Sequence, residues 1–201
     1  MPQIRKKIQF FIMGIAAVLL FLSGCAPKIA TDSPGVAAES FFSLLTQNKL
    51  GQVDQLFTSL NGDPDGFFFS DAGPMDKLFK KTFPRLTYEM VGEPEIADGC
   101  AVVTVNITAV DLAQIFDSCQ DEITQKIEER ENSGRPLSED EGIRLMVDTL
   151  CQKAAAADAP MAQFKVELAL VNIDGDWYLL SDNFLLDAVS GGFITAVYSE
   201  E

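Results

Sequence analysis

Histidine is absent from this chain of 201 residues. Without an imidazole, the sequence cannot form a Ser-His-Asp or Cys-His nucleophile, nor a zinc site that needs a histidine ligand. It also lacks a Cys-x-x-Cys pair and a glycine-rich phosphate loop after a strand, so it carries no recognisable redox or nucleotide motif. The sequence therefore predicts no catalytic residue, no cofactor site and no metal site.

Basic residues are scarce, because 15 Lys and Arg stand against 30 Asp and Glu. The first 24 residues hold three of the basic residues and no acidic one, so the remainder carries a net charge of −18. Such a field repels phosphate backbones and anionic lipid surfaces, which argues against nucleic acid as a partner. A hydrophobic share of 47% with 22% charged residues is typical of a globular domain.

Long hydrophobic runs are also missing. The longest one, from Phe10 to Leu22, has 13 residues and follows a cluster of three basic residues. An α-helix needs about 20 residues to cross a bilayer, so a permanent span over residues 8–27 would have to include polar positions. A basic segment followed by a short apolar segment and small residues is typical of an export signal, which is the favoured interpretation.

The residues Leu22, Ser23, Gly24 and Cys25 end this apolar run. Leu-Ser-Gly-Cys at this place resembles the lipobox of bacterial lipoproteins, in which small residues before the cysteine fit a dedicated signal peptidase. The resemblance implies a signal peptide over residues 1–24 and transfer of a diacylglyceryl group to the Cys25 sulfur. Two or three acyl chains, palmitate for example, would hold the chain on the extracytoplasmic face of the cell membrane.

Three cysteines remain after Cys25, so at most one internal disulfide can form. Cys119 and Cys151 are the best pair, because they lie 15 residues before and 17 residues after Gly134, the predicted turn of a helical hairpin. They would come level across that turn. Two buried free thiols are the equally weighted alternative.

Residues 25–32 have no hydrophobic periodicity and are interpreted as a tether, which leaves residues 33–201 as one domain. Ser33 and Pro34 form a helix start, and the apolar spacing predicts a helix up to Asn48. Shorter helices are predicted after Gly51 and over residues 74–83.

Strand periodicity marks the middle and the end of the chain. Apolar and polar residues alternate over residues 86–90 and 101–109. Two further strands are predicted over residues 164–173 and 177–184, joined by Asp174–Gly175, the strongest hairpin signal in the chain. The tail from residue 187 to 198 is left unassigned.

Between these strands, residues 111–157 switch to a helical period. A break at residues 132–136 divides them into two helices, and Ser138 with Glu141 forms a capping box for the second. Acidic residues outnumber basic ones along this hairpin. A solvated surface is the simpler interpretation, and docking of a basic partner through Glu128, Glu129 and Glu131 is the functional one.

Helices followed by antiparallel strands predict an α+β fold, in which N-terminal helices pack against a curved antiparallel sheet of about four strands, with an inserted helical hairpin. The opening Ser-Pro-x-x-x-Ala-x-x-Phe-Phe-x-Leu-Leu helix, Phe57, the strand at residues 103–107 and the late Asp-Gly-Asp-Trp-Tyr-Leu-Leu strand carry a resemblance. They resemble the cone-shaped fold of nuclear transport factor 2 and ketosteroid isomerase. The chain is similar to small uncharacterised lipoproteins of Gram-positive bacteria, often clostridial, that have this cystatin-like cone.

Two features of residues 61–72 have both a functional and a plain interpretation. Asn61, Asp63 and Asp65 before Gly66 match the first half of a calcium loop, but Ala72 stands where the final acid is needed, so an ordinary turn is favoured. The run Phe67–Phe69 is expected in the core rather than as a lid or a lipid-facing wedge.

Enzymes with the cone fold take a carboxylate base and phenolic donors from the concave wall of the sheet. The polar and aromatic residues on predicted strands that could serve there are Tyr88, Asn106, Trp177 and Tyr178. The acidic residues on predicted strands alternate onto faces that are expected to be solvated, and they are Glu89, Glu167 and Asp182. Anchoring the edge of the core is therefore the favoured role for the aromatic residues.

These observations predict a membrane-anchored extracytoplasmic lipoprotein that is a non-catalytic binding or accessory module for an envelope protein, a cell-wall component or a small ligand. The alternative is an isomerase-like or dehydratase-like enzyme with a pocket carboxylate, which requires an acid whose pKa is raised by burial.

Overall fold

The structure is a computed structural model, and it describes residue 29 and residues 31–59 and 73–198 of the chain. Within these ranges the α-helices are α1 (Pro34–Thr46), α2 (Leu50–Val53), α3 (Asp76–Thr82), α4 (Leu112–Asn132), α5 (Glu139–Ala154), α6 (Asn183–Val189) and α7 (Phe193–Tyr198). The strands are β1 (Phe57–Thr58), β2 (Thr87–Met90), β3 (Glu95–Ala97), β4 (Cys100–Val110), β5 (Met161–Ile173) and β6 (Asp176–Leu180).

The strands form one sheet in the order β1-β6-β5-β4-β2, with β3 also paired to the beginning of β4. Neighbouring strands are antiparallel except β1, which runs parallel to β6. The α+β class is confirmed. The expectation of about four strands was too low, because β1 and β3 have only two and three residues and are too short to show alternation in the sequence.

The largest departure from the predicted elements lies after β6. This strand ends at Leu180, not at residue 184, and the side chain of Asp182 caps α6 by accepting a hydrogen bond from the Phe184 amide at 2.9 Å. Asp182 is therefore a helix cap and not a strand residue. The unassigned residues 187–198 form the end of α6 and the whole of α7.

Helix α1 packs its apolar side against one face of the sheet, which we call the inner face. Its cap is the expected one, since the Ser33 hydroxyl accepts a hydrogen bond from the Val36 amide at 3.3 Å and Pro34 occupies the first turn. Phe41 and Phe42 are fully buried, and their rings meet edge to face at 4.9 Å. The odd-numbered residues of β4 from Ala101 to Ala109 are buried on the same face.

Helices α4 and α5 form the predicted hairpin, and they belong to a second hydrophobic cluster outside the α1 core. Leu112, Ile115 and Leu150 are buried there, together with residues of α3 and α7. Gly191 lets α7 come close, because its φ is +64° and a Cβ at this position would overlap the Val110 carbonyl oxygen. The two helices therefore pack on this second cluster at the Val110 end of β4, and we call this region the base of the hairpin.

Candidate functional site

The space between α1 and the inner face of the sheet is filled by side chains of the chain itself. Tyr88 is partly buried there, and its ring stacks on Phe42 with 4.5 Å between the centroids and 18° between the planes. Trp177 is 9% exposed and belongs to the same cluster. Both aromatic residues are therefore core anchors, as predicted.

Asn106 and Tyr178, the other two residues considered for the wall of a pocket, lie on the opposite face of the sheet, which we call the outer face. Asn106 is exposed on β4, and Tyr178 pairs with Val171 on the side away from α1. Glu89 and Glu167 are exposed on that face too, as the alternation predicted. The sheet thus separates Tyr88 from Tyr178 and brings no carboxylate to the inner face between them.

A shallow groove of about 460 Å³ runs along the exposed side of α1, and it is lined by Glu39, Ser43 and Tyr88 among others. Burial raises the pKa of the Tyr88 phenol, and the nearby Glu39 carboxylate raises it further. Tyr88 therefore stays protonated at neutral pH. Glu39 itself is exposed, whereas the predicted enzyme alternative requires a desolvated carboxylate.

A second groove, of about 600 Å³, lies between α4 and α5, and we call it the hairpin groove. It is lined by Lys126, Glu129, Arg130, Leu137, Glu141, Arg144, Leu145 and Asp148. Charges of both signs surround two partly buried leucines, so this surface is less uniformly acidic than the predicted docking face. Glu128 and Glu131, two of the predicted docking residues, are exposed near it on α4.

Ion pairs hold the two helices of the hairpin together. Lys126 donates to Glu122 at 2.7 Å and to the Thr149 hydroxyl at 3.4 Å, and Lys153 approaches Glu122 at 3.8 Å. The hydrogen bond and the charge of Lys126 lower the pKa of the Glu122 carboxyl. Glu122 therefore stays ionised and links both helices.

Two basic residues outside the hairpin attach it to the rest of the domain. Arg85 donates to the carbonyl oxygens of Ala154 and Ala156, at 2.6 and 3.1 Å, at the end of α5. Lys77 forms an ion pair with Asp148 at 2.6 Å, which raises the Lys77 pKa through the hydrogen bond and then the charge of Asp148. No local pattern in the sequence marks Arg85 or Lys77, because their partners are about 70 residues away along the chain.

The chain that follows the predicted anchor is fixed to β6. Thr31 is 5% exposed, its carbonyl oxygen accepts the Trp177 amide at 2.7 Å, and its hydroxyl donates to Asp176 at 3.3 Å. Thr31 lies within residues 25–32, the predicted tether, and these two hydrogen bonds fix it to β6. Thr31 binds the start of β6, and we call this side of the sheet its β6 end. The base of the hairpin lies at the opposite end of the strands, because the 11 paired residues of β4 and β5, or roughly 35 Å, separate the two ends.

Cys119 and Cys151 are both buried in the second cluster, where the structure has them as free thiols, and Cys100 is exposed. Burial raises the pKa of the Cys151 thiol, and the charges of Lys77 and Lys81 oppose this effect. The Cys119–Cys151 disulfide stays a prediction. Among the described residues, no group of histidine, cysteine or acidic side chains could hold a metal ion.

Several predicted features lie outside the described residues: the lipobox with Cys25, the half calcium loop at residues 61–66 and the run Phe67–Phe69. Their interpretations stay predictions. None of the helices that the structure describes is long and apolar enough to cross a membrane.

No protein-family model matches the chain, and no curated protein matches it either. Among solved structures it is similar to the crystal structure of a "putative lipoprotein (ycdA)" from Bacillus subtilis, with 14% identity and a TM-score of 0.39. The match covers 76% of this chain and 45% of the Bacillus chain, so this chain corresponds to less than half of that protein. A superposition this loose assigns neither fold nor function, and the resemblance to the cone fold stays a prediction.

Proposed function

We propose that this protein is a lipoprotein anchored through Cys25 to the extracytoplasmic face of the membrane, and that its domain is a non-catalytic binding or accessory module. The hairpin groove is the surface that it offers to a protein of the envelope. One observation carries the proposal: the hairpin is built on a cluster of its own, at the end of the sheet opposite to the residue that follows the anchor.

The position of Thr31 supports this arrangement. Thr31 lies six positions after Cys25, so an extended tether reaches only about 20 Å before the chain is bound to β6. The β6 end of the sheet is therefore held close to the bilayer. The base of the hairpin is roughly 35 Å away along the strands, where a partner can approach it.

The groove has the chemistry of a protein contact. Leu137 and Leu145 supply partly buried apolar surface, while Arg130 and Arg144 stand beside the carboxylates of the groove. A transient interface usually has an apolar centre surrounded by charged residues that orient the partner. The exposed acids Glu128 and Glu131 favour a basic segment of the partner.

The packing of the inner face supports a role without catalysis. A pocket enzyme of the predicted alternative class needs a cavity with a desolvated acid, whereas Phe42 and Tyr88 fill this face and Glu39 is exposed.

The anchor is tested by the intact mass of protein extracted from membranes with detergent. We expect a chain that begins at an acylated Cys25. A chain that still begins at Met1 would show that the apolar segment is retained and would refute the lipoprotein assignment.

The docking surface is tested by capture from a detergent extract of the native envelope, with the wild type and two triple variants. In one variant Glu128, Glu129 and Glu131 are changed to Lys. The matched control reverses three exposed acids at the other end of the sheet, Glu93, Glu95 and Asp98. We expect the first variant to lose the partner and the control to keep it. Equal capture by both variants would refute the hairpin as the contact.

A further inference from the structure

Among the described residues, no strand pairs with most of the β5 edge that faces away from β4. On one side, β4 pairs with residues 161–171 of β5. On the other side, β6 pairs only with residues 170–173 and then turns into α6. Residues 161–168 therefore have no paired strand on that side within the part of the chain that the structure describes.

The register shows which backbone groups point to this open edge. The Asn172 amide donates to the Gly99 carbonyl at 2.8 Å, so the even-numbered residues of β5 face β4. The N–H and C=O groups of Gln163, Lys165 and Glu167 therefore face outward along the edge. Their side chains are exposed on the outer face of the sheet. Such an edge is a ready template for another strand.

We propose that this edge pairs antiparallel with the same edge of a second copy of the chain, which makes one continuous sheet across a two-fold axis at Val166. In this register Lys165 lies directly opposite Glu167 of the second copy, and Glu167 lies opposite its Lys165. Neither side chain has an ion-pair partner among the described residues. The edge is therefore complementary to itself in both hydrogen bonding and charge.

An exposed apolar side chain lies at the start of the same edge, since Met161 begins the unpaired part of β5 and is 41% exposed. A single strand pair buries less surface than a standard interface, so the dimer is weak in dilute solution. Confinement to a membrane raises the local concentration and favours it.

The arrangement is compatible with the anchor, and this step, like the effect of membrane confinement, rests on the proposed function. The two Thr31 residues lie at opposite ends of the joined sheet, because the two β5 strands run in opposite directions. With the two-fold axis along the bilayer normal, both tethers reach the same membrane and the sheet lies along it, so that in the dimer the roughly 35 Å between each hairpin base and its own tether run parallel to the bilayer.

The test measures the dimer dissociation constant of the full-length protein by sedimentation equilibrium in density-matched detergent. Lys165→Glu places two carboxylates opposite each other at two symmetric positions, and Glu167→Lys places two ammonium groups there. Each reversal is expected to raise the dissociation constant about tenfold, as two cross-strand pairs change sign. The double variant Lys165→Glu/Glu167→Lys restores both pairs and should bind like the wild type.

Glu95→Lys is the matched control, since Glu95 is an exposed acid on β3 that pairs with the outer-face residue Val102 and lies outside the cross-strand row of Lys165. It should leave the dissociation constant unchanged. A wild type that stays monomeric at all concentrations would overturn the proposal, and so would a double variant that is no better than the single ones. The intact mass at Cys25 is measured separately, so loss of the anchor assignment and loss of the dimer are distinguishable.

Discussion

Replacement of Phe42 by alanine tests whether α1 and the sheet form a filled core. Phe42 is fully buried and contacts Phe41 at 4.9 Å and Tyr88 at 4.5 Å between ring centroids. Burial of such a side chain contributes about 1.5–3 kcal/mol, and a cavity adds roughly 2.4 kcal/mol per 100 Å³ that is not refilled. We therefore expect Phe42→Ala to lower the free energy of unfolding by about 4 kcal/mol.

Urea unfolding followed by far-UV circular dichroism measures this loss, and for a domain of this size it corresponds to a fall in Tm of about 8–16 °C. Phe184→Ala is the matched control, because it removes the same atoms from a side chain that is 53% exposed. We expect the control to cost less than about 1.5 kcal/mol. Equal costs for the two variants would refute the packing of α1 on the sheet.

The same variant has a second readout at Tyr88. Burial raises the pKa of this phenol above its ordinary value of 10.0, and Phe42 covers one side of the ring. Because the folded state binds the phenol proton more tightly than the unfolded chain, the stability that this proton contributes is complete below pH 10 and is lost as pH rises above it. Ultraviolet titration should show a lower Tyr88 pKa in Phe42→Ala, and an unchanged titration would contradict the burial argument.

Three further expectations follow from the structure. Gly191→Ala should destabilise the domain by more than about 3 kcal/mol in urea unfolding, because the new Cβ meets backbone atoms, whereas Gly51→Ala has open space and should be neutral or slightly stabilising. Ser138→Ala should cost about 1 kcal/mol by loss of the α5 cap. The backbone amide of Ser138, and after it the hydroxyl, lower the pKa of Glu141; because Ser138→Ala removes only the hydroxyl, the part of this difference that comes from the hydroxyl–carboxylate bond should shrink as pH falls below the ordinary carboxyl pKa of 4.5. In thiol labelling of the reduced native protein, Cys100 should react quickly, and only denaturant should release the two buried thiols, Cys119 and Cys151.

The sequence predicts those elements whose signal is local. Ser33 and Pro34 mark the start of α1 in the sequence, and its predicted end at Asn48 lies two residues beyond the observed end at Thr46. The alternation in β4 is visible because one face of the strand is buried along its whole length. The hairpin of α4 and α5 follows from a change of period and from the capping box at Ser138.

What the sequence could not show depends on contacts between distant residues. Asp182 follows an alternating run that reads as strand, and only the tertiary packing of α6 against β4 and β5 explains why the chain turns there. Arg85 and Thr31 bind groups far along the chain, so neither has a local signature. The open edge of β5 is likewise a property of strand order and of where β6 ends.

The charge of the domain bears on the proposed covalent anchor. With a net charge of −18 after the predicted signal segment, the domain is repelled by an anionic bilayer, and the acidic residues at the end of the sheet near Thr31, among them Asp98, Asp174 and Asp176, add to this repulsion. Electrostatic attraction cannot hold it at the surface. In the proposed function acyl chains at Cys25 supply the attachment, and Thr31 fixes where the domain begins. Repulsion then keeps the acidic surface of the hairpin off the lipid, and that surface stays available to a basic partner.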